Sequence, residues 1–456
     1  MLIKFKVSNF LSFDEMQEFS MLSGKSRLKQ EHIQQNKNDL SLLKFSALFG
    51  ANASGKSSFV KAINYAKNVI VGKRTIKMNS YCKIASKNKD KITSFDFEIA
   101  IDEKYYSYGF DILLHKNEIK AEWLYELKKD KEIKIFVREL NKDMDLNEKY
   151  FKNRGSIKRL KMYSEDIKSQ DNILFLTIMN ENKNDLYLNE EDNINIIKKV
   201  YNWFYNSLVI IFPDKTLMND SYYASEENLE KITEIVKSFG TGIKKCKFEA
   251  IKQEDLAAKI SDEILNKAIT YIENIYTKYI KQGKKKFKAK VFLRTGKDLY
   301  IFEKDNIESL KIKTIKFEHQ NCEGEYSFSE ESDGTIRILD LVEILLSNNT
   351  DKVYIIDELD RCLHPQLTYK FVENFLSRSN NSTQLIVTTH ESRLLNFNLL
   401  RRDEIWFVNR ENNGATKLYS LEEYNERFDK KVDKAYLDGR YGGVPIFETL
   451  FPVKEC

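Results

Sequence analysis

Gly50-Ala51-Asn52-Ala53-Ser54-Gly55-Lys56-Ser57 matches G-x-x-x-x-G-K-S, and each fixed position of that loop has a chemical use. Glycine at both ends lets successive backbone N–H groups turn inward and wrap a polyphosphate without side-chain clashes. A lysine at position 56 reaches β- and γ-phosphate oxygens, and a hydroxyl at position 57 ligates Mg²⁺. Phe45-Ser46-Ala47-Leu48-Phe49 reads as a strand before the loop. Ser58-Phe59-Val60-Lys61-Ala62-Ile63 reads as a helix after it, with its N-terminus facing the phosphates. Gly50, Asn52, Gly55, Lys56, Ser57 and Ser58 are therefore the candidate nucleotide-binding residues, with a nucleotide polyphosphate and Mg²⁺ as the expected ligands.

A second chemical cluster lies far along the chain. Val353-Tyr354-Ile355-Ile356-Asp357-Glu358 is an apolar strand ending in two acids. Side chains alternate along a strand, but at its frayed C-terminal end both acids can reach one site. Asp357 would join Ser57 in holding Mg²⁺, and Glu358 would orient or deprotonate an attacking water. Gln384-Leu385-Ile386-Val387-Thr388-Thr389-His390 is another buried strand, and its terminal His390 fits a γ-phosphate sensor. Ser332-Asp333-Gly334-Thr335 caps an apolar helix and offers a second set of amides for an anion; an ordinary N-cap is the alternative.

These residues need an α/β scaffold to bring them together. Leu2, Phe5 and Val7 start a strand at once, with Phe10 and Phe13 beyond a turn at Ser8-Asn9. Period-two alternation in Phe95/Phe97/Ile99/Ile101, in Tyr106/Tyr108/Phe110/Ile112 and from Trp123 to Val137 predicts an antiparallel β subdomain. Helical spacing from about 150 to 285 predicts an inserted helical region. The expected divisions are 1–145, 146–285 and 286–456. Lys281, Lys284, Lys285, Lys286, Lys288, Lys290 and Arg294 alternate with Phe287, Val291 and Phe292. Such a run suits phosphate contact, and equally a hairpin edge protected by lysine.

A chain of 456 residues has room for two to three domains, and a net charge of +5 neither demands nor excludes nucleic acid. Cys82, Cys246, Cys322, Cys362 and Cys456 form no C-x-x-C pair, which argues against zinc or a disulfide framework and points to a reducing cytoplasm. No apolar stretch approaches the ~20 residues of a membrane span. The segment Gly439-Arg440-Tyr441-Gly442-Gly443 reads first as a glycine-rich turn closing the fold, with partner or nucleotide contact as the alternative.

The order of phosphate loop, Ser-x-Gly tetrapeptide with its helix, Ile-Ile-Asp-Glu, Leu359-Asp360 and a strand ending in His390 resembles an ABC-type ATPase head of the Rad50/SMC/RecF kind. Adding Glu331, Arg361, Leu363-His364-Pro365, Thr388-Thr389-His390 and Tyr436-Leu437-Asp438-Gly439-Arg440-Tyr441-Gly442, the chain is more closely similar to bacterial RloA-like, abortive-infection ATPases of the AAA family. The resemblance implies ATP held between two subunits of a homodimer or larger homo-oligomer. Lys56 and Ser57 of one would face Ser332 and Gly334 of the other, with Asp360 in a loop that communicates across the interface. Ser-Asp-Gly-Thr departs from the Ser-Gly-Gly-Gln of transporters, and no glutamine-loop residue is assigned. The resemblance also implies a role in phage defence beside a separate nuclease or Toprim-like effector, since about 50 residues after the last core strand leave little room for such a domain. The alternatives are a DNA repair clamp whose lysines meet the phosphate backbone, and an ATP-binding scaffold that does not turn over.

Overall fold

The computed structural model describes residues 1–26, 28–35, 40–73, 78–181, 183–187, 192–213, 223, 225–281, 287–295, 298–306, 309–346, 351–377, 382–424 and 432–442. Lys284, Lys285, Lys286, Gly443 and Cys456 lie outside the described residues. The chain divides into two compact units. One comprises Met1–Asp214, Asn348–Arg361 and Val372–Cys456; the other comprises Lys215–Ser347 and Cys362–Phe371. These limits differ from the expected divisions after 145 and 285, because the stretch between them contributes strands as well as helices. Leu208–Ile211 belongs to the first unit's parallel sheet, and Ile243–Ile251 to the second unit's sheet. Four consecutive apolar residues carry no readable period, so the sequence does not mark Leu208–Ile211 as a strand.

The first unit has a six-stranded sheet in the order Leu208–Ile211, Val353–Ile356, Gln384–Thr389, Phe45–Phe49, Ile405–Arg410, Thr416–Ser420. All neighbours are parallel except the last pair. Parallel strands covered on both faces read as continuous apolar runs, and Phe45–Phe49, Val353–Ile356 and Gln384–Thr389 are buried at every position. The helix Lys56–Ile70 follows the phosphate loop and buries Phe59, Val60, Ile63 and Ala66 in a core that includes Leu48, Ile355 and Ile386 of this sheet. The same core takes in Phe5, Val7, Phe95 and Phe97 of a seven-stranded antiparallel sheet. There the predicted alternation is observed: Thr93–Ile101 and Lys104–Leu113 pair across a turn at Asp102 and Glu103, both in left-handed conformation. Anchored between two sheets, the helix holds the loop at its N-terminus in a fixed position.

The chain's last described segment packs under the same strands. Tyr436 of the helix Val432–Leu437 and Tyr441 both stack on Phe407, and Tyr436 also meets Phe49, the residue before Gly50. Gly439 and Gly442 take positive φ to make that turn, so the tail closes the fold.

The second unit centres on an antiparallel sheet in the order Ile243–Ile251, Leu310–His319, Asp298–Lys304, Ala289–Thr295, with Glu325–Tyr326 paired to Leu310–His319. The 20-residue helix Asp262–Lys281 packs Leu265, Ile272 and Tyr276 against Ala289, Tyr300, Phe302 and Ile312. The helix Asp333–Leu346 begins at Ser332, whose Oγ accepts from the Thr335 backbone N–H at 3.1 Å as an N-cap.

Candidate nucleotide site

The loop after Phe45–Phe49 is shaped by its glycines. A Cβ on Gly50 would stand 2.4 Å from the Val408 carbonyl oxygen. Gly55 sits at φ +117°, where a Cβ would also meet Thr416 Oγ1 at 2.3 Å. Gly55 gives the helix Lys56–Ile70 no side-chain cap, so its first-turn N–H groups stay available to an anion. Thr416 Oγ1 donates to the Ser54 carbonyl at 2.8 Å and braces the loop from the last strand of the sheet. Ser12 Oγ and Ser54 Oγ are buried without a hydrogen-bond partner. Orphaned hydroxyls beside a glycine loop fit a polar ligand that would satisfy them.

Lys56 Nζ donates to the carbonyls of Gly50 at 2.7 Å and Ala51 at 2.9 Å. Burial lowers its pKa from 10.5 to about 8, against the opposing pull of Asp357, Asp360 and Glu358. The ammonium therefore sits in a desolvated pocket ringed by three carboxylates. Ser57 Oγ donates to Asp357 Oδ1 at 3.2 Å, so a hydroxyl and a carboxylate, both hard oxygen donors, meet where Mg²⁺ chemistry needs them. The residues present fit that ion.

Asp357 and Glu358 follow directly after the strand Val353–Ile356. Glu358 adopts φ +53°, a left-handed conformation that costs on the order of 1–3 kcal/mol for a residue with a side chain. That turn breaks the strand's alternation between the two acids. Thr388 fixes it: its Oγ1 donates to Asp357 Oδ1 at 2.7 Å and accepts the Glu358 backbone N–H at 2.8 Å, while its carbonyl accepts from Leu359 N–H at 2.9 Å. On the same strand Thr389 Oγ1 donates to Asp360 Oδ1 at 2.7 Å, and His390 N–H reaches that oxygen at 3.2 Å. The His390 imidazole pKa is lowered by partial burial first and by Lys56 second, with Asp360, Glu358 and Asp357 pulling the other way. Neutral imidazole can donate to an incoming phosphate or accept from a water.

Lys56, Ser57, Asp357, Glu358, Asp360 and His390 thus form one electrostatic cluster, flanked by Gly50 and Gly55. Asn52 is exposed at the tip of the loop and Ser58 is half-buried in the first helical turn. Ser332 and Gly334 belong to the second unit, where Ser332 is exposed at its helix N-terminus. Two residues that sequence reasoning gave no role are Thr388 and Thr416. Thr388 is fully buried, but its role rests on contacts to the end of the neighbouring strand, so the sequence offered no local signal for it. Thr416, far downstream in an ordinary edge strand, had none.

The family described as "AAA domain, putative AbiEii toxin, Type IV TA system" matches residues 45–208 and 254–396, more than half of the chain. No curated protein matches it. Among solved structures, similar ones include an SMC head bound to the C-winged helix domain of ScpA, at 14 % identity over 92 % of this chain and 97 % of that chain with a TM-score of 0.41. Another is the SMC head domain from Thermotoga maritima, at 12 % identity over 92 % and 98 % with a TM-score of 0.35. No helix among the described residues is long and apolar enough to cross a membrane.

Proposed function

The chain belongs to that AAA-domain family, and from this premise we propose that it binds and hydrolyses ATP between two copies of itself and uses the closed pair to gate a separate effector in anti-phage defence. The single observation that carries the catalytic part is the convergence of Lys56, Ser57, Asp357, Glu358 and His390, with Thr388 holding Asp357 and the Glu358 backbone. Lys56 exchanges its two loop carbonyls for β- and γ-phosphate oxygens, which removes the penalty of a buried charge. Ser57 and Asp357 hold Mg²⁺, which when bound neutralises charge on the phosphates. Glu358 takes a proton from water, and His390 contacts the γ-phosphate. Ser332 and Gly334 at their exposed helix N-terminus serve the nucleotide of the second copy.

Hydrolysis resets the pair in this reading, and Asp360, bonded to Thr389 and His390, carries the state of the γ-phosphate to the interface. The toxin-type description of the family supports the defence role; a nuclease or Toprim-like effector as partner and the cytoplasm as the place of action complete the proposal. The test is affinity purification of tagged Glu358→Gln protein from its own host with ATP present. A stoichiometric second protein, lost in Lys56→Ala, is expected. Unchanged ATP turnover in both variants would overturn the mechanism, and nucleic acid without a second protein would overturn the gating role.

A further inference from the structure

The lysine run noted in the sequence gains a partner strand in the fold. In the second unit's sheet, Ala289, Val291, Tyr300, Phe302 and Ile312 face the helix Asp262–Lys281. Alternation sends the residues between them to the opposite face, where the register builds two adjacent cross-strand rows. One is Lys290, Glu303, Lys311; the other is Phe292, Ile301, Lys313, Ala250.

Glu303 is 3 % exposed, and three ammoniums close over it: Lys290 at 2.8 Å, with Lys288 and Lys313 both at 3.1 Å. Burial alone would raise this carboxyl, but Lys290, Lys288 and Lys313 outweigh it and hold the pKa down at about 2. The carboxylate stays ionised and cancels one of three positive charges. Lys288 and Lys313 each bring three N–H donors, more than their share of one carboxylate can use. Lys311, about half exposed, stands beside them with Asp305 at 3.2 Å. The strand Ala289–Thr295 lies within a stretch, 281–297, with eight Lys or Arg, Lys288 and Lys290 among them, and no Asp or Glu, in a chain whose total is only +5. Apolar surface lies among the charges: Phe292 is half-buried, and the half-buried Phe248 carries Lys313 Nζ 5.3 Å from its ring centre.

We propose that this sheet face binds single-stranded nucleic acid, with phosphates on Lys288, Lys290, Lys311 and Lys313 and bases against Phe248 and Phe292. Glu303 acts as a buried anchor that holds three flexible lysines in place before the strand arrives, so less side-chain entropy is lost on binding. A duplex hides the base faces that the two rings would stack on. The site lies wholly in the second unit and does not depend on the nucleotide reading.

The test is fluorescence anisotropy of a labelled 20-nucleotide oligothymidylate, and of a duplex of equal length, titrated with the full chain over a salt series. Tighter binding of the single strand is expected, with a salt slope near −3 for four phosphate contacts at roughly −0.7 each. Lys290→Gln/Lys311→Gln/Lys313→Gln should cost at least roughly tenfold in affinity and cut the slope to about −1. Glu303→Gln should bind severalfold more weakly, because the three lysines are no longer held in place before the strand arrives. Binding of a fluorescent ATP analogue should be unchanged in both variants. Should the triple variant lose its thermal transition, Lys288→Gln/Lys311→Gln, at two exposed side chains, should still weaken binding at least roughly threefold. An unchanged slope in the lysine variants, preference for the duplex, or capture of polyglutamate with no oligonucleotide bound would each overturn the proposal.

Discussion

Lysine meets carboxylate in two clusters of this molecule, and the ratio is inverted between them. At the phosphate loop one buried lysine, Lys56, sits among Asp357, Glu358 and Asp360, and burial lowers its pKa to about 8 against their pull. At the second unit's sheet one buried carboxylate, Glu303, sits under three lysines and stays charged down to about 2. The same two residue types therefore make opposite tools. An acid-rich pocket repels phosphate until a divalent cation shares the site, so in the proposed role it would select a nucleotide that arrives with its metal. A lysine-rich face needs no metal and is governed by salt.

The hardest blow to the acid-rich side is expected from Glu358→Gln. Losing the general base should slow ATP turnover roughly 100- to 10 000-fold with binding retained, as read by phosphate release beside analogue binding. Lys56→Ala should weaken ATP roughly 10- to 150-fold, since a charge-assisted contact is worth about 1.5–3 kcal/mol; calorimetry measures it. Thr388→Val removes the hydroxyl that serves both Asp357 and the Glu358 backbone. A drop in kcat of about 5- to 150-fold is expected, from about 1–3 kcal/mol for an unsatisfied buried group, with KM for ATP moving less.

The pH response sharpens the contrast with the smallest effect. Lys56 titrates at about 8 in the free protein, and phosphate oxygens would raise it, so ATP binding takes up a proton above that pH. Affinity should be flat below pH 7 and fall about tenfold between pH 7 and 9 as the free lysine loses its charge. Calorimetry in buffers of different ionisation enthalpy reads the proton directly. The Glu303 face should show no matching change, because its carboxylate, held at about 2, does not titrate in that window.

Much of the first cluster was legible because its chemistry is written in short runs. The loop from Gly50 to Ser57, the Ile355-Ile356-Asp357-Glu358 strand end and His390 each carry their signal within a few residues. The strands from Phe95 to Val137 were equally plain, since one covered face leaves a period of two. Thr416 and Thr388 escaped because their roles come from cross-sheet neighbours, which local spacing does not encode. Lys311 and Lys313 escaped in the same way: only the strand register puts them beside Lys290 and Glu303. Leu208–Ile211, inside a stretch of helical spacing, escaped because four apolar residues have no period.

The strand order of the parallel sheet also governs when a nascent chain becomes competent. Phe45–Phe49, which feeds the phosphate loop, is hydrogen-bonded on one side to Gln384–Thr389 and on the other to Ile405–Arg410. At roughly 5–20 residues per second, the ribosome makes the loop long before it makes either neighbour. Tyr436 then has to pack under Phe49 to finish the support. A chain interrupted before residue 384 carries the whole G-x-x-x-x-G-K-S motif but neither of the strands that flank Phe45–Phe49, so the loop lacks its bracing until synthesis is nearly complete.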